Sequence, residues 1–263
     1  MKTIEKVHVI PLGFERDIAV LPIRVLGGVR AHIITIGGEF AEKYDLHEEQ
    51  RFFEKAVVRD LKNMGIDVLV HYADLFDFQE VLKVLSRVIK EEKELDSEVY
   101  LNLSSHGRLV SIASALVGWY HDVRMYYVLA SRYAKSEEEF RQHGRSVCER
   151  VQIFEVPKVE IVKLNDEEKL AMSLIYSKGK GYARLNEIAE VFCKKFPQIY
   201  SCSKDKIGEI TRKSKQELLT KLNRRVLSKL ESRGYVEREK VGRNTILRIT
   251  EKGKLFALLE GDS

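Results

Sequence analysis

The run Asn102-Leu103-Ser104-Ser105-His106-Gly107-Arg108 puts an amide, two hydroxyls, an imidazole, a glycine and a guanidinium into seven residues. An apolar run precedes it and a helical pattern follows it, so these groups stand where a strand ends and a helix begins. A helix N-terminus offers unpaired N–H groups and a partial positive charge. Ser and Arg donors suit phosphate oxygens, and Gly107 lets the backbone approach a ligand closely. The loop is not a Walker A loop, and the chain lacks GxGxxG. The plainer alternative is that Ser104 or Ser105 caps the helix and Arg108 is solvated. Ser105, His106 and Arg108 are weak catalytic candidates, His106 as a base and Arg108 as a partner for developing charge. The rest of a catalytic constellation is not visible. A second loop, Leu12-Gly13-Phe14-Glu15-Arg16-Asp17, also follows a strand-like run. There Gly13 reads equally as a turn residue and Phe14 as core.

A second group of residues carries charge rather than chemistry. Lys215, Lys221, Arg224 and Arg225 lie in one helical pattern, and Arg243 lies in a turn beyond it. Cations so grouped suit a phosphate backbone. The charge of the whole chain agrees. Residues 1–157 hold 21 Lys and Arg against 25 Asp and Glu, a net −4, whereas residues 158–263 hold 24 against 15, a net +9. A polyanionic partner is therefore expected for the back half alone. A solvated basic face without a partner is the alternative.

The elements that must position these groups are legible in the apolar pattern. Val7–Pro11, Ala31–Ile36, Ile66–His71, Val99–Leu103, Val123–Leu129 and Val151–Val156 read as six strands. Most are continuous apolar runs, as in strands covered on both faces. Glu49–Met64, Phe78–Glu94 and Leu109–Trp119 have helical spacing, and Gly65 ends the first of these. Asp74 and Asp77 read as turn and cap residues, and His8 and His71 as satisfied strand residues. Strand alternating with helix predicts a Rossmann-like, doubly wound, mostly parallel six-stranded sheet. For the order 3-2-1-4-5-6, ligands bind between the first and fourth strands. The two loops named above follow those strands.

The back half has a different rhythm. Asn165 or Asp166 caps a helix, a second helix begins near Arg184, and Pro197 closes it. Residues 198–213 are polar and lysine-rich, with a short helix expected at Asp205–Ile210, and Lys204 and Lys206 would matter if this insertion touches a partner. Ser214 reads as an N-cap with Glu217 at the capping-box position. That helix runs to about Arg233, with Leu218, Leu222, Val226, Leu227 and Leu230 on its buried face. Strands Val236–Lys240 and Thr245–Ile249 then form a hairpin, and Thr250 caps a last helix. Three helices and a basic-tipped hairpin are the winged-helix order, in which one helix enters the major groove. The domains are therefore read as residues 1–157, a linker at 158–165, and a winged helix-turn-helix at 166–263.

Three cysteines, Cys148, Cys193 and Cys202, show no metal-ligand spacing and fit inert thiols in a reducing compartment. There is no charged-then-apolar leader and no run long enough to span a bilayer, so a cytoplasmic protein without membrane contact, metal or cofactor is expected.

The segments Val7–Phe14 (VHVIPLGF), Val99–Ala115 (VYLNLSSHGRLVSIASA) and the tail from Leu227 through Gly242-Arg243 to Lys254 together resemble the CARF-domain transcription regulators. These join a CRISPR-associated Rossmann-fold sensor of antiviral defence to a winged helix and are common in archaea. Asn102, Ser104, Gly107 and Arg108 hold the places of the family's loop after the fourth strand. His106 departs from it, since many members carry a small residue there. The resemblance implies a homodimer with one shared pocket for a cyclic oligoadenylate, most often cyclic tetra-adenylate. Leu12, Gly13, Phe14, Asn102, Ser104, Ser105, His106, Gly107 and Arg108 would line it. The paired winged helices would bind a palindromic double-stranded DNA operator. Two other readings stay open: a ring nuclease that cleaves its cyclic ligand, and a sensor of another nucleotide unrelated to CRISPR.

Overall fold

The computed structural model describes residues 4–37, 39–159, 161, 163–176, 181–200, 212–242 and 244–260. The chain divides into two compact units, Met1–Ile161 and Val162–Ser263.

In the first unit, strands β1 (Lys6–Pro11), β2 (Arg30–Thr35), β3 (Asp67–Tyr72), β4 (Glu98–Asn102), β5 (Arg124–Leu129) and β6 (Gln152–Val156) form one sheet in the order 3-2-1-4-5-6. The first five are parallel, and β6 runs antiparallel to β5 along the edge. The central strand β1 is buried from Val7 to Pro11, which explains its unbroken apolar run. Helices α1 (Asp17–Leu26) and α2 (His47–Asn63) close one face around Ile10, Leu12, Ala31 and Ile33. Helix α3 (Phe78–Glu94) covers the other face, and α4 (Arg108–His121) packs beside it. Asp77 caps α3, its Oδ1 accepting from the N–H groups of Gln79 at 2.8 Å and Glu80 at 3.2 Å. Gly65 has φ +78° just past α2, a conformation that favours glycine.

A buried polar network ties the α3 face to the sheet. Glu92 of α3 accepts two bonds from Arg30, one from Ser97 and one from His32 Nε2 at 2.8 Å. His32 Nδ1 in turn meets His71 Nε2 at 2.8 Å. Ionic and hydrogen-bonding partners hold the Glu92 carboxyl below the usual carboxylate range against the opposing effect of burial. His8 bonds Tyr126 Oη and the carbonyl of Gly27, and burial lowers its pKa to about 4.

The second unit has helices α6 (Asp166–Tyr176) and α7 (Leu185–Lys195), with strand β7 (Tyr182–Arg184) between them. (Helix α5, Glu137–His143, belongs to the first unit.) Asn165 and Glu168 cap α6 reciprocally, each side chain accepting from the other's backbone N–H. Helix α8 (Arg212–Leu222) passes through a π-helical turn, Asn223–Leu227, and ends at Ser232. Strands β8 (Val236–Val241) and β9 (Asn244–Ile249) make the wing, and β9 also pairs with β7. Thr250 caps α9 (Glu251–Leu259) by accepting from the N–H of Gly253 at 3.0 Å.

Two expectations need correction. Ser214 is not an N-cap: α8 already includes Arg212, and Ser214 lies buried inside it, because the flanking Arg, Lys and Gln residues favour helix and extend it upstream. The cysteines are not all inert thiols. Cys193 is disulfide-bonded. Cys148 is free, and burial pushes its thiol up to about 11. The expected helix at Asp205–Ile210, with Lys204, Lys206 and Cys202, lies outside the described residues, as does Arg243. Among the described residues no helix is long and apolar enough to cross a membrane, and no group of three or more His, Cys, Asp or Glu is placed to hold a metal ion.

Candidate functional site

Strands β1 and β4 lie side by side at the reversal of strand order, and their two loops are zipped together. The N–H of Gly13 donates to the carbonyl of Ser105 at 2.8 Å, and Ser105 Oγ donates to the carbonyl of Pro11 at 2.6 Å. A Cβ on Gly13 would stand 3.2 Å from the His106 ring, which would have to shift by a few tenths of an ångström to admit it. Gln50 pins the β1 loop from α2, donating to the carbonyl of Leu12 and to Thr35 Oγ1.

The buried members of the predicted site brace these loops. Asn102 Nδ2 donates to the carbonyl of Ile18, while its Oδ1 accepts from both the N–H and the hydroxyl of Ser104. Ser104 Oγ also accepts from the N–H of Val128. Leu12, Asn102, Ser104 and Ser105 are all buried, at 0%, 1%, 8% and 1% exposure. Neither serine caps α4. Its N-cap is Gly107, which supplies no side chain, so the first N–H groups of the helix gain no side-chain acceptor.

What faces outward is a cleft of about 320 Å³, lined by Gly13, Phe14, Glu15, Ile36, Leu46, Gln50, Phe76, His106, Gly107 and Arg145. His106 Nδ1 accepts from the N–H of Gly107 at 2.7 Å, so the ring presents Nε2–H. Burial lowers its pKa to about 4, leaving a neutral ring that is a poor base at neutral pH. With Ser105 Oγ committed to Pro11, neither Ser105 nor His106, two of the three weak catalytic candidates, is set up for proton transfer. Arg108 is exposed at the start of α4 and pairs with none of the described residues.

Arg145, which the sequence did not single out, completes the cleft. A strap formed by Arg132–Tyr133, α5 and Ser146–Val147 crosses the β1 loop. The N–H of Arg145 donates to the carbonyl of Phe14, and its guanidinium lies over the Phe14 ring at 5.4 Å. The crossing point is Gly144, with φ +91°, where a Cβ would come within 2.7 Å of the Arg16 nitrogen and Glu15 Cα. Glu15 latches the strap by accepting from the N–H and hydroxyl of Ser146, each at 2.9 Å. No local pattern marks these residues, because the latch spans 131 positions.

Burial raises the Glu15 pKa to about 7, against the lowering effect of Ser146 and Arg145. A raised carboxyl pKa contributes stability that is full below the unfolded value and is lost as pH rises through about 7. The same ionisation puts a negative charge in the cleft. The affinity of any anion bound there is expected to fall several-fold between about pH 6 and pH 8. Glu15→Gln keeps an acceptor for Ser146 and should abolish that slope. An unchanged slope in the variant would remove Glu15 as its source.

In the second unit, Lys215, Lys221, Arg224 and Arg225 are all exposed on α8 or its π-helical turn. Their situations differ. Arg225 donates to both oxygens of buried Glu167, which also accepts from Tyr200 Oη at 2.6 Å. Its guanidinium is therefore committed within the domain. Lys221 Nζ donates to the carbonyl of Ile199. Lys215 and Arg224 pair with none of the described residues.

A doubly wound sheet with a cleft at its switch point, followed by helices and a wing, defines a Rossmann-like domain joined to a winged helix. Residues 6–133 match the family described as HFX_2341_N-like, N-terminal, and residues 167–261 match the DUF6293 C-terminal winged helix domain. The two matches together cover most of the chain, a Rossmann-like N-terminal part and a C-terminal winged helix. No curated protein matches the chain significantly. Among solved structures it is similar to Enterococcus italicus Csm6 bound to cyclic hexa-2′-fluoro-hexa-dAMP, at 12% identity and TM-score 0.44, over 88% of this chain and 56% of that one. It is similar to Can2 from Sulfobacillus thermosulfidooxidans in complex with cyclic tetra-adenylate, at 12% identity and TM-score 0.40, over 98% and 62%. It is also similar to protein VC1899 from Vibrio cholerae, at 16% identity and TM-score 0.33, over 98% and 66%. The chain thus spans less than two thirds of the length of each of these proteins.

Proposed function

We propose that the chain is a ligand-responsive DNA-binding regulator. Its Rossmann-like domain binds a cyclic oligoadenylate, cyclic tetra-adenylate being the form the family resemblance implies. Its winged helix binds double-stranded DNA. The observation that carries the reading is the switch-point cleft, where Arg145 lines the pocket with Gly107, Phe14, Phe76 and His106, and exposed Arg108 follows Gly107 as the first residue of α4. Arginines and free N–H groups suit phosphates, and aromatic faces suit adenine rings.

A cleft of about 320 Å³ is at the small end for a ligand pocket, and too small for a ring of four nucleotides. Two copies would supply two such clefts, and a two-fold ligand on a two-fold axis would meet the same groups twice. The outer face of α4 supports such pairing, since Leu109 and Ile112 are 44% and 58% exposed one turn apart beside the cleft. Two winged helices so paired would meet a palindromic operator. The ligand changes DNA affinity to the extent that it favours one dimer arrangement.

Calorimetric titration with cyclic tetra-adenylate tests the reading. Saturation at one ligand per two chains is the expected result. Saturation at one mononucleotide per chain, with no response to the cyclic ligand, would replace the shared pocket with a single-chain nucleotide site. Analysis of the same mixture for linear product tests whether the ligand is cleaved. The expectation is an intact ring, because His106 and Ser105 are not poised for proton transfer.

A further inference from the structure

We propose that Gln216, Thr220 and Arg224 form the base-reading stripe of the winged helix, with Arg224 selecting guanine and Gln216 selecting adenine in each operator half-site. The inference rests on the DNA-binding reading above and adds which bases are read and by which side chains.

These three residues are spaced four apart, so they line one face of α8 and its π-helical turn. Together with Glu217 and Lys221 they border an open groove of about 530 Å³. Ser214, Leu218 and Leu222 are buried on the opposite side. The makeup of this face is not that of a surface built only to neutralise phosphates. It sets an amide, a carboxylate and a hydroxyl among its cations. A carboxylate facing DNA repels every phosphate near it, whatever the sequence. It becomes useful where it accepts from a base edge, as from cytosine N4.

Gln216 and Arg224 have no side-chain partner among the described residues, and Thr220 keeps its methyl free. Arg224 pairs with none of the described residues, whereas its neighbour Arg225 is held by Glu167. Of these adjacent arginines, one braces the domain through Glu167 and the other lines the groove. An unpaired guanidinium matches guanine O6 and N7, and an amide matches adenine N6 and N7. Thr220 Oγ1 donates to the carbonyl of Gln216 at 2.9 Å. With its hydroxyl spent on the backbone, its methyl is the group left to meet a thymine methyl. Eight residues at 1.5 Å each separate Gln216 from Arg224 by about 12 Å, or three to four base-pair steps of about 3.4 Å.

The test is selection of bound sequences from a randomised duplex pool with the full chain, followed by affinity measurements on the selected operator. The expected half-site carries an adenine and a guanine three to four pairs apart. Arg224→Ala should weaken binding to it about tenfold and remove discrimination at the guanine, and Gln216→Ala should do the same at the adenine. Both variants should lose much less affinity for random-sequence duplex. Glu217→Gln should bind random duplex more tightly. All three positions are exposed, and unchanged thermal unfolding of each variant excludes misfolding as the cause. Selected sites without the spaced pair, or variants that keep the parent's discrimination, would overturn the stripe while salt-dependent DNA binding left the regulator reading intact. Absence of any DNA binding would overturn both.

Discussion

Arg108→Ala and Arg145→Ala are each expected to weaken binding of a cyclic oligoadenylate roughly ten- to hundredfold, the effect of losing charged hydrogen bonds worth about 1.5–3 kcal/mol. Arg145 lines the cleft, whereas Arg108 stands exposed next to the lining residue Gly107. Arg108 is the first residue of α4, where its charge adds to the free N–H groups of the helix start. Arg145 comes from the strap and rests on Phe14. If they hold different phosphates, the losses in the double variant should add, and if they share one, the double variant should fall short of the sum. Calorimetry at fixed salt distinguishes these cases. An unchanged affinity in Arg108→Ala would place the phosphates away from the α4 N-terminus. An unchanged affinity in Arg145→Ala would confine the strap to a structural role. Arg145→Lys is informative beside them, because an ammonium keeps the charge but loses the planar fork.

The second large effect is on stability. Glu92→Ala is expected to destabilise the Rossmann-like domain by about 3–5 kcal/mol, because one partner of a buried ionic network disappears and the others remain. Arg30 would lose both bonds to the carboxylate, and buried His32 would lose the acceptor at its Nε2. At about 2–4 °C per kcal/mol for a domain of this size, the melting transition of that domain should fall by roughly 6–20 °C. Glu92→Gln fills the same space and keeps an acceptor, so its loss should be clearly smaller. A drop under about 2 °C in Glu92→Ala would mean that water or side-chain rearrangement satisfies Arg30 and His32 at little cost. Because the Glu92 carboxyl titrates below its ordinary range, its contribution is present above the unfolded-state pKa. It is lost as pH falls through the folded one, so the difference between parent and variant should shrink in acid.

Much of this protein was determined by local sequence. The central strands show in continuous apolar runs, because a strand covered on both faces has no polar side to display, whereas the edge strands β3 and β6 alternate with exposed residues. The caps at Asp77, Asn165 and Thr250 are legible because a capping side chain bonds N–H groups two or three residues away. The wing is legible for a similar reason, as its strands are joined through Gly242 at φ +61°. The alternation of strand and helix pointed to a doubly wound sheet, and the order 3-2-1-4-5-6 seen in the structure is the one that brings the two loops together at the switch point.

Tertiary structure decided which groups at those loops remain free. Asn102, Ser104 and Ser105 have the right chemistry for a ligand, yet neighbouring carbonyls and N–H groups claim them first. A hydroxyl bound to the backbone and one bound to a phosphate look the same in a sequence. Arg145 enters the cleft only because Glu15 and Ser146 meet across 131 positions, a contact with no periodicity to betray it. Arg224 and Arg225 are adjacent and chemically identical, and only the fold separates them. A buried carboxylate on α6 holds one as a brace and leaves the other facing the groove.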